Sequence, residues 1–421
     1  MKHEVPPLSL HVPEAHFRPG DTPDFGYLNL PAAGQAQRPS MDAKASETRD
    51  LAFGLVRVLD DEGRAVGPWD PKLDAETLRK ALRAMMLTRA FDEQMFKVQR
   101  QGKTSFYLKC TGEEAVAIGQ VFALEPGDMC FPSYRQQGLL IGRGWPIFDM
   151  MCQIYSNSLD RLKGRQLPVL YSAKGAGFFS LSGNLATQVP QAVGWAMASA
   201  YKHDRHIAAT WVGEGASAEG DFHHGLTFAA VYHAPVLLNL VNNQWAISSS
   251  QGVAGGEEAT FASRAIGFGI PGIRVDGNDL LAVYAVTRWA AERARSNHGP
   301  TLIELFTYRV APHSTSDDPS RYRPGNEEQF WPLGDPILRL KQHLIGLGEW
   351  SEERHAEQAT ALQEEVRAAN AQAQSHGILS DGPHHEAGTM FEDVFKEMPW
   401  HLREQRAELE RFNAGSEEEG A

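Results

Sequence analysis

The chain has 421 residues, of which 53 are acidic and 40 basic, so its formal net charge is −13. This length allows a large core, and the negative charge argues against nucleic acid or an anionic membrane as a partner. The cysteines, Cys110, Cys130 and Cys152, are too few and too widely spaced for a disulfide framework or a cysteine metal site, which predicts a reducing, cytoplasmic location.

The N-terminal part of the chain carries little regular pattern. Residues 1–50 are rich in Pro, Gly, Ala and charge, which predicts an extended arm. They contain no apolar run of the signal-peptide type, and no stretch of the chain approaches the roughly 20 apolar residues of a membrane span, so we expect a soluble protein. Leu51 to Val58 alternates like a strand, and Asp60 to Gly63 predicts a turn. Asp74 predicts the N-cap of a helix that ends near Arg100.

The following segments alternate helices with polar loops. One helix is predicted from Ala115 to Phe122, directly after Gly112-Glu113-Glu114, and another from Val189 to Tyr201. Leu159 to Pro168, between them, is polar and basic, which predicts a loop at a subunit or ligand surface.

A strand–turn–helix–strand unit comes next. Ile207 to Val212 and Val236 to Val241 are apolar runs of strand length, joined by a helix predicted from Ala218 to Tyr232. Such a unit predicts an α/β fold, a parallel sheet flanked by helices, with its chemistry at the strand ends. Glu214 follows the first strand within a glycine turn, and Asn243 follows the second.

Glu214 and Asn243 together predict a metal–diphosphate site. Mg²⁺ takes a few hard oxygen ligands from the protein and completes its shell with phosphate oxygens and water. Backbone N–H groups in a turn before a helix favour phosphate. The turn from Gly213 to Ala218 also fits the GxGxxA fingerprint of nicotinamide dinucleotide sites. That alternative expects an acidic residue at the end of the next strand, where this chain has two asparagines.

A polar loop follows the last predicted strand. Leu280 to Arg295 predicts an amphipathic helix and Thr301 to Tyr308 a strand, which leads into a Ser- and Asp-rich loop that contains His313. A histidine has an ordinary pKa near neutrality and is therefore suited to proton transfer.

The C-terminal part is predicted to be helical from Asp335 onward and to end in an acidic, solvated tail at Glu417 to Glu419. Its apolar positions lie on one side, at Ile337, Leu340, Leu344, Leu362 and Val366. The chain is therefore divided into an arm (residues 1–50), an α/β domain (51–330) and a helical C-terminal region (331–421).

Taken together, these segments resemble the alpha chains of branched-chain 2-oxo acid dehydrogenases, the thiamine diphosphate-dependent decarboxylase component. The turn at Glu214, then 26 residues (216 to 241), then two asparagines look like the thiamine diphosphate motif, with Glu where Asp is more usual. The resemblance runs from about Ala84 to Arg323, and its most specific parts are KGRQLP (163–168), NLATQVPQAVG (184–194) and HSTSDD (313–318). It implies the thiamine diphosphate-binding fold.

The resemblance also implies roles for individual residues. It implies that Mg²⁺ is held by Glu214, Asn243 and the backbone carbonyl of Trp245. It places further residues at the cofactor: Tyr134, Arg135, Gly183, Leu185, Gly215, Ala216 and His313. His313 is implied as the catalytic residue that handles the lipoyl acceptor. A structural monovalent cation such as K⁺ is implied at Ser182, Thr187 and Gln188, and Ser314 stands where animal relatives are phosphorylated.

The implied reaction is the oxidative decarboxylation of a branched-chain 2-oxo acid such as 3-methyl-2-oxobutanoate, with transfer of the acyl group to the lipoyl group of an acyltransferase component. No carboxylate that could bond the aminopyrimidine ring is evident in this chain, and in the family a beta subunit supplies it. We therefore expect two alpha and two beta chains and no activity from this chain alone. The alternatives are the alpha chain of pyruvate or acetoin dehydrogenase and a non-catalytic subunit that keeps the fold.

Overall fold

A five-stranded parallel sheet organises the protein, and the computed structural model describes residues 8–418. In chain order the α-helices and strands are α1 (Arg49–Phe53), α2 (Ala75–Arg100), α3 (Glu114–Ala123), β1 (Met129–Phe131), α4 (Gln137–Gly142), α5 (Ile147–Tyr155), α6 (Gln188–Tyr201), β2 (Ala208–Gly213), α7 (Gly220–Val231), β3 (Val236–Asn242), β4 (Trp245–Ala246), β5 (Ser249–Ser250), α8 (Arg264–Gly267), β6 (Gly272–Asp276), α9 (Leu280–Arg295), β7 (Thr301–Phe306), α10 (Pro336–Gly346), α11 (Glu352–Gln374) and α12 (Trp400–Glu418). Within residues 8–418, none of the helices has the length and apolar character needed to span a membrane.

The strand order of the sheet is β1-β2-β3-β7-β6, and every neighbouring pair is parallel. The central strands are buried on both faces, as expected for a parallel sheet covered by helices. Along β3, Leu238 and Leu240 pack in one cluster with Phe222 of α7, whereas Leu237 and Val241 belong to the cluster that contains α9. The alternation of side chains along the strand thus divides the core into two layers, which confirms the predicted fold class.

The register of the sheet brings the predicted site together. Gly213 at the end of β2 pairs with Val241 of β3, and Val241 pairs with Leu305 of β7. Because these parallel strands all point the same way, the residues that follow them meet at one edge of the sheet.

Several predicted helices are present with close to the expected bounds. α9 has the predicted ends, and the side chain of Asp279 caps it by accepting from the backbone N–H groups of Leu281 and Ala282. α2 is capped as predicted by Asp74, whose Oδ1 accepts from Thr77 N at 2.7 Å. The five apolar side chains expected on one side of the C-terminal helices are all buried.

One predicted strand is wrong, and other elements were not anticipated. Leu51 lies in helix α1, which follows a 3-10 turn in which Glu47 Oε2 accepts from the Lys44 N–H at 2.6 Å. Only Val56 of the expected strand pairs, with Val275 of β6. Leu51 and Ala52 are buried within this short helix, whereas Val56 and Val58 are buried in the irregular segment that follows it. β6 itself, the β4–β5 hairpin and helices α4 and α5 had no predicted counterpart.

The described part of the N-terminal arm lies against the core. Phe25, in a 3-10 turn, is buried, and its ring meets Trp331 edge-on at 5.3 Å between centroids. Residues 1–7 of the arm and Glu419 of the acidic tail lie outside the described residues. The division of the chain at residues 50 and 330 remains a prediction.

Candidate active site

A pocket of about 420 Å³ opens at the carboxyl ends of β1, β2 and β3. Most of the residues expected at the cofactor, the metal or the monovalent cation line it: Tyr134, Arg135, Ser182, Leu185, Gln188, Glu214, Gly215, Ala216, Asn243, Trp245 and His313. Gly183 and Thr187 are not among the lining residues, although their chain neighbours are. Sequence positions more than 170 residues apart, such as Arg135 and His313, therefore meet in one cavity.

Glu214 is the buried carboxylate at the end of β2. Its side chain is 1% exposed, its Oε2 accepts from the backbone N–H of Asn243 at 3.4 Å, and its Oε1 has no hydrogen-bond partner. Burial raises the pKa of Glu214 to about 7. A buried carboxylate oxygen without a partner is an energetic penalty that a bound cation would relieve.

Glycine is required at position 215, in the turn after β2, because this turn lies very close to Ala246 of β4. A Cβ on Gly215 would lie 2.5 Å from the Cβ of Ala246 in β4, so a larger residue does not fit there. The turn continues as a 3-10 helix (Gly215–Ala218), and α7 begins only at Gly220. The α-helix therefore starts two residues later than predicted, and the dinucleotide fingerprint lacks its direct transition from glycine turn to α-helix.

Asn243 and Trp245 follow β3. The Asn243 side chain donates through Nδ2 to Glu113 Oε1 at 2.8 Å, and its Oδ1 accepts from the Trp245 N–H at 3.3 Å. The Trp245 carbonyl, expected as a metal ligand, accepts from Arg309 Nη1 at 2.7 Å. One of its two lone pairs is therefore already used.

Arg135 and His313 form the opposite, basic side of the pocket. Arg135 Nη2 donates to the His313 carbonyl at 2.9 Å and lies 3.3 Å from His313 Nδ1, and the Tyr134 ring meets the imidazole edge-on at 5.7 Å. The loop that carries His313 is held by Asp317, whose carboxylate accepts from the His313 N–H at 2.7 Å.

The pKa of His313 in this structure lies far below the near-neutral value of a free histidine. Burial, and then the positive charges of Arg135 and Arg309, lower the pKa of His313 to about 3. The imidazole is therefore neutral at physiological pH, because an imidazolium in this position would be desolvated and repelled by two guanidinium groups.

The residues expected at a monovalent cation make local contacts. Ser182 Oγ accepts from the Asn184 N–H at 3.1 Å, and Gln188 Nε2 donates to the Trp211 carbonyl at 2.6 Å. Ala186, between them, is fully buried and has a positive φ of 64°. Such a backbone conformation is strained for alanine and is concentrated at functional sites in proteins.

Two site residues were not identified from the sequence. Glu113 is 3% exposed and lines the pocket, and burial raises the pKa of Glu113 to about 7. Arg309 is fully buried and donates to the carbonyls of Trp245 and Ile247. The available signals were the Gly112-Glu113-Glu114 run at a helix start and a lone Arg after a predicted strand, and neither type of signal is specific.

The fold and the pocket define an α/β protein whose site lies at the ends of parallel strands, and sequence comparison assigns its class. The sequence profile described as the dehydrogenase E1 component matches residues 82–380, and a second, described as the N-terminal part of the 2-oxoisovalerate dehydrogenase E1 alpha subunit, matches residues 6–46. The chain belongs to the dehydrogenase E1 component family.

Individual relatives narrow the assignment. The chain is 62% identical over 403 residues to the 2-oxoisovalerate dehydrogenase subunit alpha of Pseudomonas aeruginosa, covering 96% of this chain and 98% of that protein. It is 41% identical to the mitochondrial protein of the same name from Mus musculus, covering 85% of this chain and 80% of that one, and 38% identical to the subunit alpha 1 of Arabidopsis thaliana, covering 87% and 76%. The resemblance inferred from the motifs is thus confirmed.

Proposed function

We propose that this chain is the alpha subunit of a thiamine diphosphate-dependent enzyme that oxidatively decarboxylates branched-chain 2-oxo acids and passes the acyl group to a lipoyl group. The observation that carries the proposal is the buried Glu214 carboxylate, with an unpaired Oε1 next to Asn243 at the ends of adjacent strands. A hard cation bound to a diphosphate would compensate this charge. The names of the relatives support the substrate class.

Three residues of this chain would bind the metal ion. Glu214 and Asn243 would hold Mg²⁺ through a carboxylate and an amide oxygen, and the Trp245 carbonyl would contribute its remaining lone pair. No group of three or more His, Cys, Asp or Glu that could hold a metal occurs within residues 8–418. A site with one protein carboxylate suits Mg²⁺ that is also bound by phosphate oxygens.

The basic side of the pocket would bind the phosphate groups. Arg135 offers a guanidinium, which matches phosphate geometry, and Tyr134 offers a hydroxyl. His313 is held neutral, so we propose that it binds by hydrogen bonding and not as a cation. The charge of a bound diphosphate would offset the two arginines and raise the pKa of His313 again. When bound, thiamine diphosphate would supply the electron sink for loss of carbon dioxide.

A beta subunit would complete the site. Among the described residues, the acidic side chains that line the pocket are Glu113 and Glu214, and both contact Asn243. Both are assigned here to the metal end of the pocket, Glu214 as a ligand and Glu113 beside Asn243. We therefore propose that a partner supplies the carboxylate that bonds the aminopyrimidine ring, in an assembly of two alpha and two beta chains. Leu185 and Ile247 line the pocket and are about half exposed, which fits a mouth that is covered in the assembly.

The remaining components follow from the same proposal. The lipoyl acceptor would belong to an acyltransferase component and would reach the site past His313. A K⁺ ion at Ser182, Thr187 and Gln188 would stabilise the strained turn around Ala186. The cysteines in the described part of the chain are free and buried, which fits a reducing compartment such as the cytoplasm.

The direct test is calorimetric titration of thiamine diphosphate and Mg²⁺ into the chain alone and into its complex with the beta subunit. We expect tight binding in the complex, lost in Glu214→Ala and retained in Glu219→Gln, since Glu219 is exposed on the same turn. No binding by the wild-type complex would contradict the cofactor assignment.

The substrate assignment needs a kinetic comparison. With a lipoylated acceptor domain, we expect kcat/KM for 3-methyl-2-oxobutanoate to exceed that for pyruvate by at least tenfold, since each methylene in an apolar pocket contributes about 1–3 kcal/mol. Higher efficiency with pyruvate would favour the pyruvate dehydrogenase alternative.

A further inference from the structure

Glu113 occupies a buried position that the proposed cofactor roles leave unexplained. It follows Gly112, whose φ is 96° and where a Cβ would lie 2.3 Å from the Tyr308 carbonyl oxygen. This close packing against the segment after β7 fixes the start of α3 at the wall of the pocket. Glu113 is thus placed at the site by backbone geometry, at the N-cap of α3.

The neighbouring Glu114 shows what a purely structural carboxylate looks like here. Its Oε1 accepts from Arg89 Nε at 2.7 Å and its Oε2 from the Gly112 N–H at 2.9 Å, so both oxygens are satisfied within the protein. Glu113, by contrast, uses one oxygen to bind Asn243 Nδ2 at 2.8 Å and leaves Oε2 without a partner.

The bond to Asn243 decides which way the amide faces. When ionised, the Glu113 carboxylate only accepts hydrogen bonds, so it pairs with the NH₂ group of Asn243, as in this structure, and not with the amide oxygen. Asn243 Oδ1 is then left with a single long bond from the Trp245 N–H at 3.3 Å. The same Glu113 oxygen lies 3.7 Å from Arg135 Nε, so one carboxylate contacts both the proposed metal ligand and the proposed phosphate ligand.

We propose that Glu113 is a positioning residue that orients the Asn243 amide oxygen toward the bound metal and holds Arg135 beside it. The inference rests on the proposed function. In this proposal Glu113 is not itself a metal ligand and acts through Asn243. Loss of the carboxylate would let the amide rotate, which weakens the metal site without removing a ligand.

The test is Mg²⁺ affinity, measured by calorimetry on the complex with the beta subunit at a fixed, saturating concentration of thiamine diphosphate. We expect Glu113→Ala to weaken Mg²⁺ binding by tenfold or more, in line with the loss of groups that orient metal ligands. Glu113→Gln keeps an oxygen that accepts from Asn243, and we expect it to recover affinity to within about threefold of wild type.

A double substitution separates positioning from general destabilisation. In an Asn243→Ala background, Glu113→Ala is expected to cause less than a twofold further loss of Mg²⁺ affinity, because the side chain it orients is gone. If the Glu113→Ala variant does not fold, the Glu113→Leu variant is measured instead. Leucine fills the space of the glutamate side chain but offers no hydrogen-bond acceptor. Wild-type Mg²⁺ affinity in the Ala or Leu variant, or independent losses in the double variant, would overturn the inference while leaving the proposed function intact. Absence of binding by the wild-type complex would instead overturn both.

Discussion

Replacing Glu214 by glutamine is expected to increase the stability of the cofactor-free protein, relative to wild type, as the pH rises. The same substitution is expected to abolish the stabilisation that Mg²⁺ and thiamine diphosphate give. The wild-type carboxylate is buried, and desolvation raises the pKa of Glu214 from its usual 4.5 to about 7. Below pH 4.5 the group is protonated in both the folded and the unfolded protein, so it has no effect on stability there. As pH rises, the unfolded chain ionises first, so stability falls until pH 7 is passed.

The size of this effect follows from the two pKa values. A change from 4.5 to about 7 corresponds to about 3 kcal/mol of stability lost between pH 5 and pH 8. Glutamine does not ionise, although an unpaired amide group costs about 1–3 kcal/mol at every pH. The diagnostic quantity is therefore the change with pH and not the stability at one pH. For a chain of 421 residues, 3 kcal/mol is roughly 3 °C in Tm.

The assay is thermal unfolding of EDTA-treated wild type, Glu214→Gln and the control Glu219→Gln across pH 5 to 8. Relative to wild type, the Glu214 variant should gain up to about 3 °C between these limits, and the control should follow wild type. In the complex with the beta subunit, adding Mg²⁺ and thiamine diphosphate should raise the Tm of wild type and of the control only. Parallel pH curves for Glu214→Gln and wild type would refute the reasoning that Glu214 is a destabilising buried charge.

Three further predictions concern a close contact at the site, a helix cap and the core. Gly215→Ala should abolish cofactor binding because the added methyl group clashes with Ala246, and the second substitution Ala246→Gly should restore binding. Calorimetry on the single and double variants measures both effects. Failure of the double variant to bind would contradict the steric explanation. Asp279→Ala removes an acceptor for the Val58 and Leu59 N–H groups as well as the cap of α9, so urea unfolding should show a loss of about 2–4 kcal/mol. Phe222→Ala should cost about 3–5 kcal/mol in the same assay because the ring is fully packed between α7 and the sheet, whereas a loss below about 1 kcal/mol would mean that the core collapses to fill the space.

Elements with strong local patterns were predictable, and elements defined by distant partners were not. α9 has a capping Asp and a regular apolar face, and both signals lie within the helix itself. β6 has only five residues, two of them charged, and it is a strand because it pairs with β7 and receives Val56. Leu51 to Val58 alternates like a strand, but burial of Leu51 and Ala52 against the body of the protein favours a helical turn.

The residues of the candidate site follow the same rule: those with a local sequence signal were predictable, and those defined by distant partners were not. Glu214 and Asn243 were identifiable because each directly follows an apolar strand, and the ends of adjacent parallel strands must meet. Glu113 lies 130 positions from Asn243 and Arg309 lies 64 from Trp245, so nothing near either residue in the sequence indicates its partner.

By itself, the sequence determined the fold class, the family and the oxygen-bearing side chains that follow the strand ends, because these depend on local periodicity, glycine turns and motifs. Only the tertiary structure decided the electrostatics. It shows that Glu214 is left with an unpaired oxygen, and that burial and two arginines lower the pKa of His313 to about 3. Desolvation and charge–charge interaction act through space, and the groups responsible come from segments far apart in the chain.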